Sequence, residues 1–334
     1  MIVFHALAER VRRGESIPAP LAALLTSLTP FVRLGMAWRL RQPRVRVDAR
    51  VISFGNITVG GTGKTPAVIE RAREELAAGN RVAVLTRGYG TASQQNPFLV
   101  KGDSALAAQV GDEPALIARK APGVVIAKGP DRVAAARAAI DRYGCDTLIL
   151  DDGFQYVRLE RDENVLLIDS CNPFGNGRLI PRGVLREPIL HAGRATTVIL
   201  TRCDQAGDLA RLRAQVEALC PYAPIRETWH APASLWRVSD GEEVPLEHLH
   251  GMRVRAACAI AHPEAFFRTL ESLGAVLTER LACADHSRIP ESALAGSAML
   301  VTTEKDAMRM ERAPENVYAL GIELRTLGTR VVAG

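Results

Sequence analysis

A glycine-rich segment directly after a short apolar run constrains the fold of this chain more than any other feature of its sequence. Residues 51–54 have the pattern of a buried strand, and the next twelve residues read Gly-Asn-Ile-Thr-Val-Gly-Gly-Thr-Gly-Lys-Thr-Pro before a helical pattern begins. Glycines let successive backbone N–H groups turn toward phosphate oxygens, and the N-terminus of the following helix adds a positive dipole. The segment therefore predicts a nucleotide phosphate site.

The match of this segment to the motif G-x-x-x-x-G-K-[ST] is incomplete, because Thr58 stands where the first glycine usually lies. In this motif the lysine, here Lys64, reaches the β- and γ-phosphates, and the hydroxyl of Thr65 ligates Mg²⁺. A chance glycine-rich turn is the alternative, and the strand before it and the helix after it argue against that alternative. The expected nucleotide-binding residues are Thr58, Val59, Gly60, Gly61, Thr62, Gly63, Lys64 and Thr65.

A nucleotide-dependent switch or a metallochaperone NTPase would use the same type of loop as an enzyme. Partitioning-type ATPases carry a second lysine just before the Gly-Gly pair, and Val59 occupies that position here. Thr201-Arg202-Cys203-Asp204 is a near match to the guanine motif [NT]-K-x-D, with arginine in place of lysine. This near match hints at a nucleotide base nearby and does not indicate GTP.

Apolar strand-like runs alternate with helical stretches along most of the chain. Strands are predicted over residues 51–54, 82–86, 124–127, 147–150, 165–168, 198–201, 254–260, 275–277 and 299–302, with helices over 65–78, 132–143, 209–219 and 263–273. Residues 229–249 alternate without a clear helix and read as short strands or a linker. The alternation predicts an α/β fold, a P-loop NTPase-like mostly parallel sheet flanked by helices, with a second, smaller α/β domain. We expect an N-terminal amphipathic segment over 1–50, a P-loop core domain over 51–225 and a smaller C-terminal α/β domain with linker strands over 226–334.

Paired acids follow one of these predicted strands. Asp151 and Asp152 come directly after residues 147–150, so they lie at the carboxyl end of a strand beside the phosphate loop. Carboxylates in that position hold Mg²⁺, directly or through its waters. A capped loop is the alternative, and the phosphate loop makes the metal role the stronger interpretation.

Phosphoryl transfer to an alcohol also needs a group that accepts the hydroxyl proton. Asp131 follows a predicted strand and precedes a predicted helix, which places it at the same edge of the sheet; an Asp in this position is also a standard helix N-cap, and spacing alone favours the cap. His286 lies in a polar loop of the C-terminal part, where a surface histidine is the simpler interpretation.

Charge is unevenly distributed over the 334 residues. The net charge is +5, and residues 1–50 carry nine arginines against three acids, a local +6 that leaves the rest of the chain nearly neutral. This distribution argues against nucleic acid as a partner of the main domain and points to an anionic membrane or substrate near the N-terminus. Six scattered cysteines without a C-x-x-C pair predict a reduced compartment, and no secretory signal is evident.

Residues 16–32 carry no charge, and the 17-residue run is shorter than the roughly 20 residues that cross a bilayer. Apolar side chains recur at helical spacing, and Trp38 and an arginine cluster follow. Such a stripe is typical of a helix that lies in the membrane interface. A helix packed on its own domain has the same pattern, so both interpretations stand at this point.

Together these segments resemble the tetraacyldisaccharide 4'-kinase (lipid A 4'-kinase) family. The resemblance rests on the phosphate loop and on motifs that follow it in family order from residue 55 to 307. These are Thr86-Arg87-Gly88-Tyr89-Gly90, Gly111-Asp112-Glu113-Pro114, Asp131-Arg132, Asp151-Asp152-Gly153-Phe154-Gln155, Pro181-Arg182-Gly183-Val184-Leu185-Arg186-Glu187-Pro188, Asp285-His286 and Thr303-Glu304-Lys305-Asp306-Ala307. Tyr156 stands where the family commonly has His.

The resemblance implies transfer of the ATP γ-phosphoryl group to the 4'-hydroxyl of a tetraacyldisaccharide 1-phosphate, which gives lipid IV(A) in lipid A (lipopolysaccharide) biosynthesis. It implies that Asp131 is the general base paired with His286, and that the C-terminal domain closes on the core. It further implies a peripheral or monotopic enzyme on the cytoplasmic face of the bacterial inner membrane, with its lipid substrate and the anionic surface as partners and no obligate protein partner. The expected substrate contacts are Tyr89, Gln155, Arg182, Arg186 and Glu187.

Overall fold

The computed structural model describes residue 10 and residues 17–88, 96–102, 107–285 and 287–327. Its strands are β1 (Arg50–Gly55), β2 (Val82–Thr86), β3 (Phe98–Lys101), β4 (Val125–Lys128), β5 (Thr147–Leu150), β6 (Glu163–Asp169), β7 (Thr197–Thr201), β8 (Ile225–Arg237), β9 (Glu243–Val244), β10 (Arg253–Cys258), β11 (Val276–Ala282), β12 (Leu300–Thr303) and β13 (Val317–Thr326).

The α-helices of the described ranges are α1 (Ala19–Ser27), α2 (Thr29–Leu40), α3 (Lys64–Ala77), α4 (Ala107–Val110), α5 (Asp112–Lys120), α6 (Arg132–Tyr143), α7 (Leu209–Leu219), α8 (Pro263–Ser272), α9 (Glu291–Leu294) and α10 (Glu304–Ala307). Short 3-10 turns cover Ile189–Arg194, Cys203–Gln205 and Leu246–Leu249.

The described strands form one sheet in the order β11-β10-β12-β13-β8-β7-β6-β1-β5-β2-β4-β3, with β9 paired to β8. Neighbours are parallel except β3 with β4, β13 with β8 and β9 with β8. The carboxyl ends of β1, β5 and β2 meet at one edge, which is where ligands bind in open α/β sheets. The predicted α/β fold with a mostly parallel sheet is confirmed.

Strand residues alternate between two apolar layers in the N-terminal half of the sheet. Ile52 and Val84 pack on one face with the apolar sides of α3 and α5, whereas Val51 and Leu85 pack on the other face with α6. Helices thus cover both faces, as parallel strands require. In the C-terminal half, Phe267 of α8 is buried with side chains of β10, β12 and β13.

Residues 229–249, expected to be short strands or a linker, contain the two-residue strand β9, a 3-10 turn and most of the long strand β8. Its first residues pair in parallel with β7, and the remainder pairs antiparallel with β13 from Arg237 to Thr228. The expected strands are present, but the length of β8 was not predicted, because a half-buried strand with Pro232 inside it carries a weak apolar signal. The division of the chain at residue 225 stays a prediction, since β8 begins there but belongs to both halves of the sheet.

The N-terminal helices α1 and α2 stand largely clear of the rest of the fold. Ala19–Leu40 is long and apolar enough to cross a membrane by length and composition. Within α1 and α2 only Met36 is buried, and Phe31, Leu34 and Trp38 are each about two-thirds exposed. The alternative of an apolar stripe packed on its own domain is therefore wrong in this structure.

Candidate active site

The glycine-rich loop connects β1 to α3, and α3 begins at Lys64, as the sequence pattern predicts. Gly60 and Gly63 have φ values of 125° and 77°, in the region where only glycine is free of strain. A neighbouring segment braces the loop, because the Val59 N–H donates to the Val184 carbonyl at 2.7 Å. The loop is therefore shaped by its own glycines and by backbone hydrogen bonds.

Lys64 points to the paired acids at the end of β5. Its Nζ lies 3.4 Å from Asp152 Oδ1 and donates to Asn56 Oδ1 at 3.3 Å. Asp152 also accepts from Arg186 Nη1, at 2.8 Å to both carboxylate oxygens. Burial would raise the pKa of Asp152, but the charges of Lys64 and Arg186 outweigh it and lower the pKa. Asp152 is thus held ionised between two cations.

Asp151 has the opposite environment. It is 5% exposed, and its Oδ1 has no hydrogen-bond partner among the described residues. Burial first, and then the charges of Glu113 and Asp152, raise the pKa of Asp151 to about 7. An orphaned, crowded carboxylate at the mouth of a phosphate loop is what a divalent cation would satisfy.

The residues present fit Mg²⁺ as a shared ion. Within the described ranges no three His, Cys, Asp or Glu side chains are grouped closely enough to hold a metal alone. Mg²⁺ keeps several waters and is usually bound by one or two carboxylates together with substrate phosphates. Asp151 and the Thr65 hydroxyl are the candidates, and Asp152, which is tied to two cations, is less available for direct ligation.

A buried network supports the Arg186 side of the site. The amide of Gln155 donates to Glu187 Oε1 at 2.7 Å and to the Asn56 carbonyl at 2.8 Å. Glu187 is 0% exposed and also binds His191 Nδ1 and Arg194 Nη2, at 3.0 and 2.7 Å. Glu187 is enclosed by these partners in this structure, and its expected contact with a substrate stays a prediction.

Asp131 is the N-cap of α6, which confirms the simpler interpretation of its position. Its Oδ1 accepts from the Val133 and Ala134 amides at 3.0 and 3.3 Å and from the Tyr156 hydroxyl at 3.0 Å. Burial raises the pKa of Asp131, but these hydrogen bonds and the charge of Arg158 outweigh burial and lower it. Tyr156 therefore has a defined partner where the family commonly has His.

Two carboxylates without an assigned role lie in the first turn of α5. Asp112 and Glu113 begin α5, and the charge of Glu113 contributes to the raised pKa of Asp151. Glu113 Oε1 lies 2.7 Å from Lys305 Nζ, and Asp112 binds Arg309. The motifs at residues 111–114 and 303–307 are recognisable in the sequence. Their pairing across nearly 200 positions is not.

Beside the phosphate loop lies a cluster of charged and ring side chains from both halves of the sheet. Arg202 and Asp169 form a buried ion pair, and Arg202 Nη2 is 3.4 Å from His262 Nε2. His230 Nε2 is buried without a partner among the described residues. Burial first, and then the charge of Arg202, lower the pKa of His230 to about 4. Arg202, which stands at the lysine position of the near match to the guanine motif, is therefore already paired with Asp169.

Two predicted site residues, Tyr89 and His286, lie outside the described residues. Arg182 lies in the segment beside the loop, where its carbonyl accepts from Asn176 Nδ2 at 3.1 Å. Of the expected substrate contacts, the structure brings together Gln155, Arg186 and Glu187.

The family model described as tetraacyldisaccharide-1-P 4'-kinase matches residues 16–332. A tetraacyldisaccharide 4'-kinase of Anaeromyxobacter dehalogenans (strain 2CP-C) is 42% identical over 333 residues, 93% of this chain and 87% of that protein. Another, of Syntrophus aciditrophicus (strain SB), is 41% identical over 354 residues, 95% of this chain and 94% of that protein. The structure of LpxK from Aquifex aeolicus in complex with ATP is similar with a TM-score of 0.73 and 28% identity, covering 90% of this chain and 94% of that one.

Proposed function

The chain belongs to the tetraacyldisaccharide-1-P 4'-kinase family, and we propose that it phosphorylates the 4'-hydroxyl of a tetraacyldisaccharide 1-phosphate with ATP as donor. The observation that carries this proposal is Lys64 at the start of α3, beside the Asp151-Asp152 pair, in a chain that matches the family over nearly its whole length. The resemblance stated from the motifs is confirmed by the family match.

In the transfer, the 4'-hydroxyl oxygen forms a bond to the γ-phosphorus while the bond from that phosphorus to the β,γ-bridging oxygen breaks. The hydroxyl proton passes to a protein carboxylate, and ADP and the phosphorylated lipid leave. Loop N–H groups and Lys64 offset the charge on the phosphates, and Arg186 holds Asp152 beside Lys64. Mg²⁺, held by Thr65 and Asp151 when bound, supplies further neutralisation of phosphate charge.

Two carboxylates are candidates for the proton acceptor. Asp131, which the resemblance assigns together with His286, is ionised and about two-fifths exposed, but it is engaged by Tyr156 and Arg158. Asp112 begins the helix that also presents Glu113 to Asp151. The position of Asp112 next to Glu113, whose charge acts on Asp151, supports Asp112, although Asp112 is itself paired with Arg309. The resemblance supports Asp131, and neutralising each in turn decides between them.

For membrane contact we propose that α1 and α2 bind the cytoplasmic face of the inner membrane from one side. Their exposed apolar side chains, Phe31, Leu34 and Trp38, support burial in acyl chains, and the exposed arginines of residues 33–44 support attraction to anionic headgroups. The lipid substrate lies in that membrane.

The experiment that separates a kinase from a nucleotide switch is ADP formation with and without lipid. Purified protein with ATP and Mg²⁺ is expected to release ADP only slowly until tetraacyldisaccharide 1-phosphate in detergent micelles is added. If the protein binds ATP but forms ADP at the same rate with and without the lipid, the result would support the nucleotide switch. The Lys64→Ala variant serves as the control, because it removes the contact to the phosphates without touching the lipid side.

A further inference from the structure

The helix α5 is held by the C-terminal half of the chain at both of its ends. At its start, Glu113 Oε1 lies 2.7 Å from Lys305 Nζ and Asp112 pairs with Arg309. At its end, Lys120 Nζ lies 2.5 Å from Glu304 Oε1. We call these three ion pairs the α5 clamp; all three C-terminal members lie within or just after α10.

Arg309 is the most constrained member of the clamp. One guanidinium nitrogen binds Asp112, and the other donates to Asp306 Oδ1 at 3.0 Å and to the Ser287 carbonyl at 3.1 Å. Asp306 is itself fixed, since its Oδ2 accepts from the Ala259 amide at 3.0 Å. A planar fork that satisfies three acceptors at once sets the orientation of Asp112 as well as its charge.

The start of α5 needs such cations because it faces other acids. The carbonyl of Gln109, just before α5, accepts from Lys128 Nζ at the carboxyl end of β4 at 2.8 Å, so the first turn of α5 lies at the sheet edge where Asp151 and Asp152 follow β5. Like charges gathered beside a phosphate site repel one another and the ATP phosphates, so without a counter-charge the first turn of α5 would be displaced from Asp151. Lys305 and Arg309, both less than a quarter exposed, supply two such counter-charges from the C-terminal half.

We propose that Lys305 and Arg309 are positioning residues for phosphoryl transfer, which hold Glu113 and Asp112 at the sheet edge that carries Asp151, so that the acidic wall of the phosphate site is built by both halves of the chain. This inference rests on the proposed kinase function. It assigns to Lys305 and Arg309 an effect on turnover that does not require contact with ATP or lipid.

The alternative is that the clamp only stabilises the fold, and the two ends of α5 separate the two accounts. Lys305→Met and Arg309→Met release the end that faces Asp151. Glu304→Gln weakens the opposite end, where the residue is 5% exposed and the amide oxygen can still accept from Trp236 Nε1. If the clamp only stabilised the fold, all three variants would be less stable, and their kcat values would not differ from one another.

The assay is lipid phosphorylation by the full chain, measured well below the melting temperature of the least stable variant. Lys305→Met and Arg309→Met are each expected to lower kcat by about 10- to 100-fold, since small misplacements of reacting groups cost about that much. The KM for ATP is expected to change less than about threefold, because the phosphate loop itself is intact. Lys305→Arg and Arg309→Lys, which keep the charge, are expected to recover part of kcat.

Glu304→Gln is expected to lower the melting temperature and keep kcat within about twofold of the wild type. Wild-type kcat in both methionine variants, or an equal loss in Glu304→Gln, would overturn the positioning role. If the methionine variants do not fold, the comparison of Lys305→Arg and Arg309→Lys with Glu304→Gln decides in the same way. If the wild-type chain does not phosphorylate the lipid, the proposed function is refuted instead. That result differs from one in which the wild type and the methionine variants are equally active, which refutes only the positioning role.

Discussion

Adding a methyl group to Gly63 tests the geometry of the phosphate loop most sharply. Gly63 has φ of 77°, and a Cβ built on it would lie 2.5 Å from His230 Nε2 and 3.0 Å from His230 Cε1. The left-handed backbone costs an L-residue about 1–2 kcal/mol. Overpacking against a buried ring adds about 1–3 kcal/mol. Gly63→Ala should therefore lower the free energy of unfolding by about 2–5 kcal/mol and weaken ATP binding, because the loop N–H groups shift.

Gly79→Ala is the matched control for this substitution. Gly79 follows α3 with φ of 87°, and an added Cβ meets nothing within 4 Å, so only the backbone cost of about 1–2 kcal/mol applies. Replacing His230 by Ala in the Gly63→Ala variant should restore the free energy of unfolding that overpacking removes. The loss caused by the left-handed backbone should remain. Urea unfolding gives the four free energies of a double-mutant cycle, and a fluorescent ATP analogue reports binding.

Equal destabilisation by Gly63→Ala and Gly79→Ala, or a cycle with no coupling between Gly63 and His230, would refute the close approach of β8 to the loop. Normal ATP affinity in Gly63→Ala would refute the role of this backbone segment in phosphate binding.

Three further predictions concern the titration of His230, the proton acceptor and the membrane. The folded pKa of His230 is about 4, below its ordinary 6.5, so the neutral ring stabilises the fold above pH 6.5 and that contribution, at most about 3 kcal/mol, is lost as the pH falls toward 4; His230→Gln should flatten this part of a urea-unfolding pH series, and an unchanged slope would show that the ring does not titrate as described. Replacing the true proton acceptor by asparagine should lower kcat by about 10²–10⁴ with little change in ATP affinity, so Asp131→Asn and Asp112→Asn compared in one kinetic series identify it, and wild-type turnover in Asp131→Asn would leave that residue as a helix cap alone. Phe31→Ser with Trp38→Ser should shift the protein from vesicles containing anionic lipid to the soluble fraction in a flotation assay, whereas unchanged flotation would remove α1 and α2 from membrane binding.

The parts of the fold that were predictable depend on neighbours along the chain. The strand, loop and helix around Lys64 follow from local apolar periodicity and glycine chemistry, and Arg132–Tyr143 and Leu209–Leu219 have the predicted bounds because each is a continuous amphipathic stretch. The sequence pattern predicts no strand over Val317–Thr326. This strand is held by antiparallel pairing with β8, about 90 positions away, and such distant pairing leaves no local signal.

In the candidate site, too, the positions of residues that follow a strand were predictable, and the contacts made with distant parts of the chain were not. Asp151 and Asp152 follow an apolar strand and were placed by it, whereas the acids near Asp151 and the cations near Asp152 make their environments different, and these neighbours are not readable from two adjacent acids. Glu187 reads as a charged loop residue but is enclosed by partners contributed by folding. The pairing of Asp112 with Arg309 depends on the register of the C-terminal strands, which no local pattern encodes.

The central claim is that this chain moves the γ-phosphoryl group of ATP to a lipid hydroxyl. Its most direct test is incubation of purified full-length protein with ATP labelled at the γ-phosphate, Mg²⁺ and tetraacyldisaccharide 1-phosphate, followed by extraction of the lipid and location of the new phosphate by mass spectrometry. The account predicts one labelled phosphate at the 4'-position, absent with Lys64→Ala. ATP binding without any label on the lipid, or label released only as inorganic phosphate, would contradict it.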